Sequence, residues 1–148
     1  MGRESIRNLP PAKRVAIGRN IILSMGALYA LSRSLYYATV HPEGLSGAQG
    51  VITGGGAALG LWSAVWGLGV VFCVVDMVNR HTRHGLSIVA GIAISWGIAY
   101  LLIWAFTGFV DPQLVNGAIG WLAPGLFIFG FLLKLNGLQD ILKTAVKP

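Results

Sequence analysis

The sequence predicts an all-α polytopic membrane protein, an up-down bundle of four transmembrane helices. Its 148 residues are 55% hydrophobic and 11% charged, with a mean hydropathy of +0.70; in soluble domains about a quarter of residues are charged. Four apolar stretches reach the roughly 20 residues that a helix needs to cross a hydrocarbon core of about 30 Å. Turn-forming residues separate these stretches, and the cations gather at alternate ends of them.

Taken in order, a basic tail at 1–16 is broken by Pro10 and Pro11 and precedes a first span at 17–39. His41, Pro42, Glu43 and Gly44, with glycines at 47, 50, 54 and 55, form the first loop. The second span covers 56–78, a tight turn 79–85, the third span 86–107. A loop containing Asp111 and Pro112 leads into the fourth span at 116–135, within which Pro124 removes one backbone hydrogen bond. Beyond it, Leu138, Ile141, Leu142 and Val146 recur at helical spacing beside Lys143 and Lys147, so 136–148 is expected to form an amphipathic tail on the inner surface.

Orientation follows from the eleven Lys and Arg residues, which give a net charge of +6 with five acids. Arg3, Arg7, Lys13, Arg14 and Arg19 precede or open the first span, Arg80 and Arg83 lie in the second turn, and Lys134, Lys143 and Lys147 lie at the C-terminal end, from the close of the fourth span onward. The first and third loops hold none, so both termini are expected in the cytoplasm, with the chain in the cytoplasmic membrane. A basic segment before an apolar stretch also describes a cleavable signal peptide. Here, however, the stretch runs through Ser32 and Arg33 into Leu35, Tyr36 and Tyr37 without a small-x-small cleavage site, and the span is read as retained.

Arg33 is the residue whose position costs most. It lies fourteen residues beyond Arg19, about 21 Å along a helix, in the outer half of the bilayer. A charge at the centre of a span costs about 2.5–3.5 kcal/mol on insertion scales, so a partner is expected. Tyr29 and Tyr37, one turn away on either side, make a candidate intramembrane polar site with it, and Glu43 or Asp111 could reach it from the loops. The alternative is an Arg anchored at the outer headgroups.

Small residues recur every four positions in two candidate helix-packing seams, Gly56, Gly60 and Ala64 in the second span and Gly91, Ser95 and Ala99 in the third. They suit either packing of the two helices within one bundle, which the tight turn between them favours, or a homo-oligomer interface. Trp62 and Trp104 fall near the outer interface, whereas Trp66 and Trp96 lie deeper and suit packing rather than a cofactor box. Asp76 and Arg80 have the favourable i, i+4 order of an interfacial ion pair. His81 and His84 lack further ligands for zinc, and Cys73 has no partner cysteine, so neither a metal site, a cofactor nor a disulfide is expected.

The five acids are scattered, no nucleophile elbow occurs, and Gly54, Gly55 and Gly56 are not followed by the Lys of a phosphate-binding loop. An enzyme is therefore not expected, and the basic ends suit anionic lipid rather than nucleic acid. The succession of Pro42-Glu43-Gly44-Leu45, Trp66-Gly67, Cys73 to Asp76 before a basic turn, Trp96-Gly97 with Tyr100 and Trp104, and Trp121 with Pro124-Gly125 resembles small four-span membrane proteins encoded by phages of actinobacteria. The resemblance covers most of residues 27–130. It implies a holin-like protein that oligomerises in the cytoplasmic membrane and permeabilises it during lysis. The alternative it implies is a nonlytic protein of superinfection exclusion or immunity, or a membrane anchor for a cytoplasmic partner at the 79–85 turn.

Overall fold

A computed structural model describes residues 10–79, 84–108 and 110–145, with side chains described through position 134. Helix α1 is Pro11–Thr39, α2 Gly47–Ile52, α3 Leu59–Val78, α4 His84–Phe106 and α5 Pro112–Ala145, with a 3-10 turn at Pro42–Gly44. No strand occurs among the described residues. The architecture is the expected all-α, four-span up-down bundle, and its four long helices are apolar and long enough to cross a membrane. These are the properties of a small multi-pass integral membrane protein.

The helix limits follow local chemistry. Pro11 begins α1 where a missing N–H costs nothing, six residues before the expected start. Val40 and His41 turn extended ahead of Pro42, which ends the helix. The first loop, expected to be without a helix, contains α2, whose start carries a capping box. The Ser46 hydroxyl accepts the Gln49 N–H at 3.3 Å, and Gln49 Oε1 accepts the Ser46 N–H at 3.2 Å. The chain then reverses through Gly54, Gly55 and Gly56 at φ 62°, 67° and 98°, a left-handed run that only glycine tolerates in succession.

Helix α5 passes through Pro124 without ending, and 136–145 continue the same helix. At 34 residues it is about 51 Å long, well beyond the hydrocarbon thickness.

Helix α1 packs on α3 and α4 packs on α5, with α3 and α4 joining the two pairs. Lipid offers no hydrophobic gain for helix association, so close approach and hydrogen bonding carry it. Both occur. A Cβ at Gly97 would sit 2.4 Å from Leu122 Cγ, and one at Gly125 would sit 2.8 Å from Ile94 Cγ1, so glycines set the α4–α5 spacing. Between α1 and α3, the Ser34 hydroxyl donates to the Ser63 carbonyl and the Ser63 hydroxyl donates to the Ser34 carbonyl, both at 2.9 Å. Interhelical bonds of this kind are worth about 0.6 kcal/mol on average. Ser34→Ala and Ser63→Ala, read by thermal unfolding in detergent, are each expected to cost about that much and together about the sum, because each removes one hydroxyl donor and leaves the main-chain carbonyl that the other hydroxyl meets. No loss in either single variant would contradict the clasp.

The outward surface is apolar along all four long helices, with Leu28, Leu35, Leu61, Leu68, Leu102, Leu126 and Phe127 each more than half exposed. Water would not favour that surface, but lipid does.

Candidate functional site: a cation among aromatic rings

The centre of the bundle is a stack of indoles. Trp96 and Trp121 lie 5.1 Å apart at 26°, and Trp66 stacks on the same Trp121 at 5.8 Å and 27°. Tyr37 packs on Trp96 at 5.4 Å, Tyr29 meets Trp66 edge-on at 5.7 Å, and Trp62 meets Trp96 edge-on at 4.8 Å. Three separate helices supply the three stacked rings. Trp66, Trp96 and Tyr37 are at most 1% exposed, so the deeper pair of tryptophans forms core, as the spacing suggested.

Arg33 enters this stack from α1. Its guanidinium carbon lies 4.3 Å from the Trp121 ring centre and 5.2 Å from that of Tyr29. A desolvated cation on an indole face gains about 2 kcal/mol or more, comparable to the cost of placing the charge in a span. Of the expected site, Tyr29 lies beside Arg33 whereas Tyr37 packs on Trp96, and the nearest ring to the guanidinium is that of Trp121, far along the chain. Neither Glu43 nor Asp111 reaches it; Asp111 Oδ1 instead accepts the Gln113 N–H at 2.8 Å, capping α5.

The stack is short of acceptors. Arg33 Nε, Trp66 Nε1, Trp96 Nε1 and the hydroxyls of Tyr29 and Tyr37 are all buried without a hydrogen-bond partner. All five can donate and the two hydroxyls can also accept; that of Tyr29 lies close enough to the Arg33 guanidinium to interact with it, and an anionic acceptor would suit the rest of the guanidinium.

A narrow apolar groove of about 190 Å³ begins beside this cluster, between Ile22, Met25, Gly26 and Tyr29 of α1 and Pro124, Phe127, Ile128 and Phe131 of α5. A wider cavity of about 540 Å³ lies at the other end of the bundle, among Ala48, Val51, Tyr100, Ile103, Gln113 and Leu114. There the Tyr100 hydroxyl lies 3.3 Å from Ser46 Oγ, tying α4 to the cap of α2.

At the end of the bundle where α3 meets α4, Asp76 is 1% exposed and its Oδ2 accepts the Gly85 N–H at 2.7 Å. The carboxylate therefore caps α4, where the helix dipole favours an anion. Arg19, counted from the sequence as part of the basic leading segment, is buried and donates to the main-chain carbonyls of Asp76 at 2.5 Å and Asn79 at 3.2 Å, closing the end of α3. Arg80, the expected ion-pair partner of Asp76, lies outside the described residues, as do His81 and Arg83.

The small-residue seams fall elsewhere than α3 against α4. Gly60, Ala64, Gly91 and Ser95 are exposed, and a Cβ at Gly60 or Gly91 would meet nothing within 4 Å. Gly56 instead packs on Pro42. The α3–α4 contact runs through Gly69 against Val89, and through Gly85 against the backbone of Phe72 and Cys73. Gly69 follows Gly60 by nine residues, which puts it about 180° around the helix, so the two cannot share a face. Among the described residues, no cluster of His, Cys, Asp or Glu could hold a metal ion.

No family model, curated protein or solved structure matches this chain.

Proposed function

We propose that this small integral membrane protein is nonlytic and acts by recognising another molecule within the bilayer, the class to which exclusion, immunity and anchoring factors belong. The observation that supports this most is the placement of Arg33. A helix that lines an aqueous hole needs a polar face turned away from its own bundle. In this bundle the cation of the first span is turned inward onto Trp121 and Tyr29, while the outward faces carry Leu, Val, Ile and Phe. Regulated expression in bacteria carrying a potential-sensitive dye tests it. Normal growth and a steady membrane potential are expected, together with altered susceptibility to phage if the role is exclusion.

A second reading, a holin-like protein that oligomerises and permeabilises the membrane, is favoured by one feature. Gly60 and Ala64 on α3, and Gly91 and Ser95 on α4, are open on the surface, where a second copy could approach closely. Collapse of the potential at a defined delay after induction would establish this reading and reject the first.

A further inference from the structure

We propose that the groove between α1 and α5 binds a single-chain anionic amphiphile, a long-chain carboxylate, with its chain in the groove and its head on Arg33. Three observations converge on it. On α1, Ile22, Gly26, Tyr29 and Arg33 are spaced by four, three and four residues and so form one stripe. On α5, Trp121, Pro124, Ile128 and Phe131 are spaced by three, four and three and form the opposing stripe. The groove occupies these stripes from Ile22 and Phe131 to Tyr29 and Pro124, and one turn further along both helices, just beyond its lining, Arg33 stacks on Trp121.

The two ends differ in chemistry. Along the groove the walls are aliphatic and aromatic, suited to methylenes and to nothing that needs a hydrogen bond. Beyond its Tyr29 end stands a guanidinium that no carboxylate meets among the described residues, with its Nε buried and unpartnered and the Tyr29 hydroxyl beside it. An amphiphile's carboxylate supplies both charge and acceptors there, in a charge-assisted pairing for which the planar guanidinium is suited. The groove also lies between α1 and α5, each packed mainly on a different partner helix, and its Met25 and Phe127 face outward, so a chain can enter sideways from the lipid. At about 190 Å³ it has room for part of one acyl chain and not for two, which favours a single-chain ligand over a phospholipid.

The stacked tryptophans supply the readout. The full-length chain in phosphatidylcholine nanodiscs is titrated with dibromostearate, whose bromines quench nearby indoles. Saturable quenching that oleate reverses is expected. Arg33→Gln is expected to weaken it by about tenfold or more, through loss of a charged partner. Ile22→Phe, which fills the groove and leaves Arg33 in place, is expected to weaken it as well. That variant decides the matter if Arg33→Gln no longer elutes as a folded species. Quenching no stronger than that from dibrominated phosphatidylcholine, or unaltered in a folded variant, would overturn the proposal. Saturable quenching by iodide alone, unaffected by oleate, would also overturn it, pointing to a small inorganic anion. The proposal rests on the nonlytic reading, and the two fail separately. Dye collapse on expression rejects that reading, whereas absence of dibromostearate binding with a steady potential rejects only the ligand.

Discussion

Gly85→Ala is expected to be among the most damaging single-methyl additions to this protein. A Cβ at position 85 would stand 2.5 Å from the Cys73 nitrogen, 2.6 Å from its Cα and 2.7 Å from the Phe72 carbonyl carbon. All three are main-chain atoms of α3, so no side-chain rotation can make room, and the start of α4 must move away from α3. That movement would also lengthen the bond from the Gly85 N–H to Asp76 Oδ2, leaving a buried carboxylate with one oxygen already unpartnered. Overpacking costs about 1–3 kcal/mol and occasionally more, and a backbone obstacle belongs at the upper end. A loss near 3 kcal/mol corresponds to a fall in melting temperature of about 6–12 °C for a chain of this size. Thermal unfolding of purified protein, followed by tryptophan fluorescence in detergent, measures it. Gly91→Ala is the control, because a Cβ there meets nothing within 4 Å and alanine is the better helix former. Equal melting temperatures for the two variants would contradict the close approach of α3 and α4.

Trp96→Ala is expected to cost about 3–5 kcal/mol, the range for removing a buried large aromatic side chain. Trp96 touches Tyr37, Trp62, Tyr100 and Trp121, so its loss opens the middle of the ring stack rather than its edge. Trp121 would lose one of its two stacked neighbours, and with it part of the support that holds its face to Arg33. A lower melting temperature and a reduced near-ultraviolet circular dichroism signal are both expected. Trp96→Phe, which keeps an apolar ring, is expected to retain more of each. Unchanged near-ultraviolet ellipticity in Trp96→Ala would mean that the indoles are not held in a fixed stack.

Much of the scaffold was legible because it rests on local quantities. A span is recognised by length and apolarity, and a loop by its glycines and prolines, neither of which depends on distant residues. The expected spans at 17–39, 56–78, 86–107 and 116–135 accordingly overlap α1, α3, α4 and the apolar part of α5, with ends displaced by up to the six residues seen at the start of α1. Helix α2 could also have been found, since Ser46 and Gln49 have the spacing of a capping box, but its six residues disappear among the loop glycines. Arg19 shows the opposite case. By sequence it counts with the basic leading residues, and nothing local indicates that it reaches the carbonyls at 76 and 79.

The sequence by itself determined the number of spans, the apolar character of the surface and the presence of one cation within a span, because each depends only on composition along a stretch of chain. Tertiary structure alone decided which face of each helix turns inward. Small residues recur on more than one face of α3 and α4, and the pattern does not distinguish Gly60 and Gly91, left open, from Gly69 and Gly85, closed upon neighbours. The partner of Arg33 was decided in the same way. Trp121 is 88 positions further along the chain, and only the packing of four helices around common indoles brings its ring beneath the guanidinium.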